Sequence, residues 1–530
     1  MFKDKKFLLI TSILAFSLFL VACSDDDDNG EEPDATEAAA GERDYERDTL
    51  RVGIGADVRS LDLHATNDVS SSQMHRHIFE TLIIQDHEFE LHPGLATEWE
   101  ELEGNRYQFT LQQGVYFHNG DPMTAHDVAF TMNRAADAPH VAPILGMIDP
   151  DSIEVIDDHT IIIGTEMPFA PFLAHLAHPA AGIMNAEVVG DLAVGDAGEY
   201  PYVVGTGPYV VADRATDDFI RLERWEDYHG DLPNMREIHF EIMVDQSTRL
   251  MALEAGDLDK LINPAFADVE RMRNDDSIRF LEEQSVGIEY MGMNMNHEYL
   301  GLQEVRQAIN YVLDTDTIVD VATEGTGNVL RTYIPNNVFG YDSALSTYEH
   351  NVARAQELMA EVGLEDGFEI TLLVNTGNAA RLAAATIVQS QLQEINIRAE
   401  IEQAEFVAYL QALDDNDFDA FFGGWGIVSG DADYALYPLL HSDYFPASNR
   451  VALNSPEVDR LLEEARAGET DEARLASYFE LLELVMEYAP FVLLQNNNLH
   501  VGTVLELRGF TIFPHQTHWW GDVYFLLEAE

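Results

Sequence analysis

Apolar residues recur along the chain at two spacings, and each spacing predicts one kind of element. Alternation with a period of two predicts strands, and a period near 3.6 predicts helices with one buried face. The predicted strands are residues 50–54, 107–111, 368–374, 398–401, 419–422 and 491–494, with a hairpin over residues 151–165. The predicted helices are residues 74–84, 245–259, 302–314, 380–393, 458–465 and 473–488. The strand–helix–strand order of residues 368–401 predicts a parallel sheet and favours an α/β fold.

The pattern of charged and apolar residues in the first 22 positions predicts a secretory signal. Lysines at positions 3, 5 and 6 precede an apolar run over residues 7–21, which is shorter than the roughly 20 residues that span a bilayer. The sequence Leu20-Val-Ala-Cys23 resembles the lipobox of bacterial lipoproteins and implies a lipid on Cys23, the only cysteine of the chain. Two acyl chains on that residue would hold the protein stably at a membrane.

Residues 23–48 predict an extended acidic tether rather than a folded element. Four consecutive aspartates (Asp25–Asp28) and further acids leave this segment without apolar periodicity. Like charges along it repel one another and keep it extended. We therefore expect the tether to hold a folded domain away from the membrane surface.

The chain carries 95 acidic and 29 basic residues, a net charge of −66. This charge excludes nucleic acid as a partner and disfavours a basic helix lying on anionic lipid. After the predicted signal, Lys260 is the one remaining lysine, and arginine supplies the other fixed cations. Because salt screens the repulsion among so many acids, we expect a protein that works in high salt. Arg249 could pair with a ligand carboxylate, but a salt bridge to one of these many acidic residues is expected.

A glycine-rich segment follows the strand predicted at residues 419–422 and combines several groups able to meet a ligand. Its glycines permit a close approach of the backbone, and Trp425 offers a flat apolar wall. Asp431 and Asp433 follow, and their carboxylates can accept charge-assisted hydrogen bonds. A surface turn with solvated acids is the alternative interpretation of the same residues.

A second glycine-containing segment, Val204-Gly-Thr-Gly-Pro-Tyr209, offers backbone groups and a hydroxyl to a ligand. Gly205, Thr206 and Gly207 are its candidate contacts. A phosphate-binding loop would need a lysine and a Ser or Thr after the glycines, and the segment has neither. A phosphate site of that kind is therefore rejected.

Several segments taken together resemble one protein family. Those segments are Phe79-Glu-Thr-Leu82, residues 114–128 with their Asn-Gly-Asp turn, residues 204–209, Val305-Arg-Gln-Ala-Ile309 and residues 423–442. They are similar to the family 5 extracellular solute-binding proteins of ABC importers, and residues 429–440 are most similar to the glutathione-binding branch. The resemblance covers the chain from about residue 49 to its end. It implies a two-lobed periplasmic-binding-protein-like fold of type II, cluster C, with mixed sheets flanked by helices and an extra third domain.

The resemblance also implies a division into domains. Domain I, in the first lobe, would comprise residues 49–80, 203–285 and 502–530, domain II, the extra domain of that lobe, residues 81–202, and domain III, the second lobe, residues 286–501. The lobes would close on a ligand by a hinge motion, with residues 204–209 crossing at the mouth of the cleft.

By the same resemblance, the ligand would lie between the lobes. In peptide-binding relatives an aspartate three residues after the tryptophan holds the peptide ammonium, but Val428 occupies that position here. We therefore expect Asp431 and Asp433, or waters that they orient, to receive a ligand ammonium. His178 precedes a proline, where a lone histidine is more often structural than a ligand contact. The predicted ligand-binding residues are Trp425, Gly426, Ser429, Asp431, Asp433, Tyr434, Gly205, Thr206, Gly207, His64 and His178.

The expected function is capture of a small peptide, glutathione or a similar zwitterion and its delivery to an ABC permease. The protein is expected to act outside the cytoplasm as a monomer, anchored to the cell membrane by Cys23, without a cofactor. The same fold carrying nickel, a metal chelate or haem is the alternative, suggested by His75, His77, His87 and His92. No metal site is predicted, because no Cys/His cluster has metal-ligand spacing. Catalysis is not expected, because Gly-x-Ser-x-Gly and His-Glu-x-x-His motifs are absent and no cysteine is available as a nucleophile.

Overall fold

The computed structural model describes residues 42–199, 201–345 and 348–528. The predicted signal, Cys23 and most of the predicted tether lie outside these residues. The strands of the described part are β1 (Thr49–Ile54), β2 (Ile83–Gln85), β3 (Leu91–Pro93), β4 (Ala96–Leu102), β5 (Arg106–Leu111), β6 (Glu154–Asp157), β7 (Thr160–Gly164), β8 (Tyr209–Ala215), β9 (Phe219–Arg224), β10 (Glu237–Ile242), β11 (Lys260–Ile262), β12 (Ile278–Met293), β13 (Asn328–Val329), β14 (Glu369–Asn375), β15 (Arg398–Ala404), β16 (Ala420–Gly426), β17 (Phe491–Val504), β18 (Leu507–Arg508) and β19 (Tyr524–Phe525). The helices are α1 (Val69–Ile78), α2 (Ala125–Ala136), α3 (Ala142–Leu145), α4 (Phe172–Leu176), α5 (Ala186–Val189), α6 (Gln246–Ala255), α7 (Phe266–Arg273), α8 (Gln303–Val312), α9 (Thr315–Ala322), α10 (Val352–Glu361), α11 (Ala379–Leu392), α12 (Phe406–Asp414), α13 (Asp433–Leu440), α14 (Pro456–Arg466) and α15 (Asp471–Tyr488). Among the described residues, no helix is both long enough and apolar enough to cross a bilayer.

Eleven strands form one mixed sheet that runs through most of the described chain. Its order is β15-β14-β16-β12-β17-β11-β1-β10-β9-β8, and β13 pairs with β17 beside this path. Strand β1 runs parallel to β10 and β11, and β14 runs parallel to β15 and β16. The parallel pair predicted over residues 368–401 is thereby confirmed, with α11 as its crossover helix.

Two long antiparallel strands, β12 and β17, connect the two ends of this sheet and are called the hinge strands below. We call residues 42–284 and 499–528 the first lobe and residues 288–496 the second lobe. A four-stranded sheet of order β4-β5-β7-β6 belongs to the first lobe. The predicted bounds of domains I, II and III stay a prediction.

The buried apolar side chains form one cluster shared by both lobes and separate clusters under each end of the large sheet. The shared cluster brings Phe169 of the first lobe together with Ile427 and Tyr434 of the second. The first-lobe cluster includes Trp520, and the second-lobe cluster includes Ile309 of the predicted helix at residues 302–314. The two lobes are therefore in direct apolar contact.

Local sequence chemistry accounts for several helix ends. Thr124 caps α2 in a capping box with Asp127, and the Thr124 N–H donates to Asp127 Oδ2 at 2.9 Å. Helix α6 ends at Gly256, whose φ of 77° suits a residue without a Cβ. These contacts fix where the helices that frame the first lobe begin and end.

Two predicted elements have different bounds in the structure. The helix predicted at residues 74–84 is α1, which begins at Val69 because Asp68 accepts a hydrogen bond from the Ser71 N–H at 3.0 Å. It ends at Ile78, so the prediction was wrong for the residues after it; the serine-rich first turn had hidden the true start. Strand β16 extends beyond the predicted residues 419–422 and includes Trp425, because it pairs with β12 along its whole length.

Residues 42–48, which were expected to continue the tether, contact the folded domain instead. Arg47 Nη2 lies 2.5 Å from Oδ1 of the buried Asp259. The Arg43 guanidinium lies 4.0 Å from the centre of the Tyr524 ring. Two arginines of this segment therefore contact a carboxylate and an aromatic ring of the folded domain. The folded part begins by residue 42.

Candidate functional site

The glycine-rich segment of residues 423–442, called the pocket segment below, is held in place by hydrogen bonds within and between the lobes. The Trp425 Nε1–H donates to the Tyr434 carbonyl oxygen at 2.7 Å. The Ser429 carbonyl oxygen accepts a hydrogen bond from Nε2 of Gln85, in the first lobe, at 3.0 Å. Gly426 is the exposed last residue of β16. The segment therefore lies at the contact between the lobes, as predicted from its resemblance, and its role in binding stays a prediction.

Asp431 and Asp433 are buried and already paired with arginines of the second lobe. Arg474 Nη2 donates to Asp431 Oδ1 at 2.7 Å. Arg466 donates to both oxygens of Asp433, at 2.9 and 2.8 Å. Neither acid lines the two cavities at the hinge strands that are described below, and each already has an arginine within hydrogen-bonding distance. Direct contact with a ligand stays a prediction, and the geometry indicates that these ion pairs hold the pocket segment against α14 and α15.

Gly205, Thr206 and Gly207 pack against the end of α1. The Gly207 N–H donates to the Ile78 carbonyl oxygen at 2.9 Å, and a Cβ on Gly205 would collide with that same oxygen. Thr206 between them is fully buried. The glycines are thus required by the close approach of two backbones, and a ligand contact by these residues stays a prediction without support from the packing.

The two histidines among the predicted site residues support the first lobe locally. Burial lowers the pKa of His64 to about 3, and Arg134 Nη1 lies 2.9 Å from its Nδ1. His178 Nδ1 accepts a hydrogen bond from the Ala180 N–H at 3.1 Å, and burial lowers the pKa of this histidine to about 3. Both rings are neutral at physiological pH. Their contact with a ligand stays a prediction.

The histidines that suggested a metal cargo do not converge. His75 and His77 are buried, and each bonds through one ring nitrogen to a backbone carbonyl oxygen. Asp86, Glu90 and His92 bring ligand atoms within 4.8 Å of one another at the surface. His92 Nε2 lies 2.7 Å from Asp86 Oδ2, which is the distance of an ordinary hydrogen bond. Proximity alone does not assign a metal there.

Two neighbouring cavities lie where the hinge strands pass between the lobes. The hinge cavity, of about 180 Å³, is lined by Gln246, Asn263, Phe266 and Gln516 of the first lobe, by Glu289, Asn378, Arg381 and Gln495 of the second, and by residues 497–500 of β17. The first-lobe cavity, of about 240 Å³, is lined by Val69, Ser70, Gln73 and Arg249 among others. Asn263 and Gln516 line both cavities, so the two are adjacent parts of one cleft.

The hinge cavity contains an ion pair that the sequence analysis missed. Arg381, in the first turn of α11, donates from Nε and Nη2 to the two oxygens of Glu289 in β12, at 2.7 and 2.9 Å. Arg381 Nη1 donates to Oδ1 of Asn375 at 2.9 Å. The Arg381 and Glu289 side chains are 16% and 17% exposed. The one signal in the sequence is that Arg381 is the only charged residue of α11.

Arg249 was expected to pair with a carboxylate, and that expectation was wrong. Its Nη1 donates to the Val244 carbonyl oxygen at 3.2 Å, and its Nη2 donates to that of Asn263 at 3.0 Å. Backbone carbonyls spread only partial charge around the guanidinium, and burial lowers its pKa. Arg249 also lines the first-lobe cavity and so places a guanidinium at that end of the cleft.

The family model described as bacterial extracellular solute-binding proteins, family 5 Middle, matches residues 90–446, more than half of the chain. The chain belongs to this family. As a family 5 protein it is one of the substrate-binding proteins that serve ABC importers, as the resemblance had implied.

Two curated relatives illustrate what the family 5 protein is similar to. It is 27% identical to Heme-binding protein A of Haemophilus influenzae, over 91% of this chain and 92% of the relative. It is 25% identical to the glutathione-binding protein GsiB of Pectobacterium atrosepticum, over 87% of this chain and 91% of the relative. The likeness in both cases runs over nearly the whole folded part.

A solved relative gives the fold class of the family 5 protein. The periplasmic binding protein DppA of Helicobacter pylori, in complex with the peptide STSA, superimposes with a TM-score of 0.80 at 26% identity, over 90% of this chain and 98% of that one. The predicted α/β, periplasmic-binding-protein-like fold of type II, cluster C, is thereby confirmed. In the family 5 protein, the cleft at the hinge strands is the candidate ligand site.

Proposed function

We propose that this protein captures a short peptide or a glutathione-like peptide outside the cytoplasm and delivers it to the permease of an ABC importer. The observation that carries the proposal is the hinge cavity, because both lobes and both hinge strands contribute to its wall. A ligand in that position touches both lobes at once and so favours the state in which they are in contact.

The charged and polar groups of the cleft match a peptide. Arg381 and Arg249 offer guanidinium groups to a carboxylate, and Glu289 offers acceptor oxygens to an ammonium. Gln246, Asn263 and Gln516 can satisfy peptide N–H and C=O groups, which must be paired once water is excluded. A zwitterion also suits a protein of net charge −66, since a polyanionic cargo would be repelled.

The relatives support the same proposal. One is in complex with a peptide and another is named as a glutathione-binding protein. A third is named as a haem-binding protein, which keeps haem as the alternative cargo. The polar wall of the hinge cavity favours the peptide, because a haem macrocycle is a large apolar plane that amide and charged side chains would not cover.

Binding without chemical conversion fits this proposal. The groups that line the hinge cavity form ion pairs and amide contacts suited to holding a ligand. We accordingly propose that the protein is not an enzyme and that it acts as a monomer without a cofactor.

The proposal includes a location at the outer face of the cell membrane. The lipobox-like Leu20–Cys23 and the acidic residues after it support a lipid anchor with an extended tether. The scarcity of lysine and the large acidic surplus support a salt-rich environment. Mass spectrometry of the mature protein tests the anchor, because a diacylglycerol on Cys23 adds a defined mass to the N-terminal peptide.

The binding proposal is tested by a ligand screen with the mature protein. Thermal shift identifies binders among di- to pentapeptides, reduced and oxidised glutathione, nickel and haem, and isothermal titration then measures their affinity. We expect a peptide or glutathione-like compound to raise the melting temperature and bind stoichiometrically. Stoichiometric binding of haem or nickel, with no peptide bound, would replace the proposal by its alternative.

A further inference from the structure

Three side chains meet on one wall of the hinge cavity. Glu289 in β12 pairs across the sheet with Gln495 in β17 on one side and with Gly424 in β16 on the other. Directly opposite residues of neighbouring strands point to the same face of a sheet. Arg381 reaches this face from α11 and completes the wall.

Gly424 makes room for this arrangement. A Cβ at residue 424 would collide with the Glu289 carboxylate and would come within 2.9 Å of Arg381 Nη2. A larger residue in the middle of β16 would therefore push the ion pair out of its position. The wall depends on contacts from four separate elements, which indicates a built site rather than a chance surface pair.

Both the hydrogen-bond donors and the hydrogen-bond acceptors of this wall have unused capacity. A guanidinium has five N–H groups, and Arg381 donates three of them to Glu289 and Asn375, so two remain. A carboxylate offers about four acceptor positions, of which the arginine takes two on Glu289. Gln495 is 8% exposed, and its Oε1 accepts no hydrogen bond from any described residue. A buried amide oxygen in this position has acceptor capacity that a ligand can fill.

We propose that this wall binds an unmodified α-amino-acid head group, in which one carbon carries both the ammonium and the carboxylate. The carboxylate would lie on the free N–H groups of Arg381, and the ammonium would lie between Glu289 and Gln495 Oε1. The Glu289 and Arg381 groups are in direct contact, at 2.7 and 2.9 Å, so a ligand that carries its ammonium and its carboxylate on one carbon can reach both groups. The proposal rests on the proposed function and names the class of cargo.

This geometry distinguishes two kinds of short peptide. An ordinary α-linked dipeptide carries its ammonium and its carboxylate on different residues, with a peptide unit between them. A γ-glutamyl peptide keeps both charges on the α-carbon of its glutamyl residue. The remainder of a γ-glutamyl peptide would extend past Asn263 and Gln516 into the first-lobe cavity, where Arg249 offers a second site for its terminal carboxylate.

Two isomers of one composition test the proposal on the unaltered protein. Isothermal titration of the mature chain with γ-glutamylleucine and α-glutamylleucine compares ligands of the same atoms and net charge. We expect the γ-isomer to bind at least tenfold more tightly. Equal affinity, or tighter binding of the α-isomer, would overturn this inference and leave the proposed function intact. If neither isomer nor any member of the peptide screen binds, the proposed function fails as well.

Variants then locate the preference. Glu289→Gln should lower the affinity for the γ-isomer about 10- to 150-fold, as expected for a lost charge-assisted hydrogen bond, and change the α-isomer less than about twofold. Gln495→Met should weaken the γ-isomer in the same selective way. Glu369→Gln removes the acid of an exposed pair with Arg398 in the same lobe and serves as the matched control, with no change expected. Equal losses for both isomers in a folded Glu289→Gln protein would assign the pair a purely structural role and contradict the proposal.

Discussion

Asn496 lies where the pairing of the hinge strands is interrupted, and its Nδ2 donates to the Ser285 carbonyl oxygen at 2.9 Å. The same amide group donates to the Gly287 carbonyl oxygen at 2.7 Å. The ladder between β12 and β17 shifts its register between Gln284 and Ile288, so a side chain replaces the strand partner there. The buried Asn496 amide thus connects β17 to β12 at the place where the two lobes are joined.

Replacing this amide should destabilise the protein. Asn496→Leu keeps the side-chain size but donates no hydrogen bond, and each buried carbonyl left without a donor costs about 1–3 kcal/mol. We expect the free energy of unfolding in urea to fall by about 2–4 kcal/mol. Asn336→Leu is the matched control, because the Asn336 side chain is exposed and forms no hydrogen bond with any described residue; it should change the free energy of unfolding by less than about 0.5 kcal/mol. Equal losses in both variants would show that the donated hydrogen bonds are not what stabilises the hinge.

Buried histidines of the first lobe should make the fold sensitive to acid. Burial lowers the pKa of His64, His77 and His178 to about 3 and that of His75 to about 4, whereas an unfolded chain has a histidine pKa of about 6.5. Below pH 6.5 the unfolded chain binds protons that the folded protein does not, so stability is complete above that pH and falls as the pH falls. Glu80 opposes this trend, because burial raises its pKa to about 7, but it is one group against these four histidines and His118, whose pKa burial lowers to about 4.

Thermal unfolding at pH 8, 6.5 and 5 measures this effect. Each of these histidines should remove about 2 kcal/mol of stability between pH 8 and pH 5. His178→Asn, which keeps a side-chain acceptor for the Ala180 N–H, should reduce the pH slope, whereas the variant of the exposed His126 to Asn should leave it unchanged. A melting temperature that is constant from pH 8 to pH 5 would contradict the prediction.

Breaking the ion pair between Arg466 and Asp433 from one side should lower the free energy of unfolding. Arg466→Met leaves the buried Asp433 carboxylate without its counter-charge, and breaking a buried pair from one side costs about 3–5 kcal/mol. We expect a loss of that size in urea unfolding. The double variant Asp433→Leu/Arg466→Met removes both charges and should recover most of it. If the double variant is no more stable than Arg466→Met, loss of packing rather than the unpaired charge explains the effect.

Asp431→Asn separates a positioning role for Asp431 from direct contact with a ligand. Arg474 donates to Asp431 Oδ1, and Asp431 lines neither cavity of the cleft, so we expect lower stability but a ligand affinity within about twofold of the unaltered protein, by isothermal titration of the folded variant. A loss above about tenfold for a free peptide, absent for its N-acetylated form, would instead place the ligand ammonium on Asp431.

How far the sequence predicts the structure depends on the distance along the chain over which each contact is made. The unit β14–α11–β15 follows from apolar spacing within residues 369–404, and it is present as predicted. The Arg381–Glu289 pair joins residues 92 positions apart, and only the sheet order β14-β16-β12 brings them together. The sequence likewise shows two acidic residues, Asp431 and Asp433, near Trp425 and so marks them as candidate site residues. It does not predict that α14 and α15 supply their counter-charges, because that depends on how distant helices pack.

The salt dependence of stability follows from counting charges. Even if each of the 29 lysines and arginines were paired, 66 acidic residues would have no cationic partner, so repulsion exceeds attraction at low ionic strength. Surface pairs such as that between Arg460 and Glu464 contribute about 0–1 kcal/mol each and weaken in salt, but they are limited by the number of cations. We therefore expect the melting temperature to rise by several degrees between about 0.05 and 1 M NaCl, where the screening length falls from more than about 10 Å to about 3 Å. Sucrose at equal osmolarity is the control, because it leaves charges unscreened and should give a smaller rise. A protein that is most stable at the lowest ionic strength would show that its acids are held by specific pairs rather than tolerated through screening.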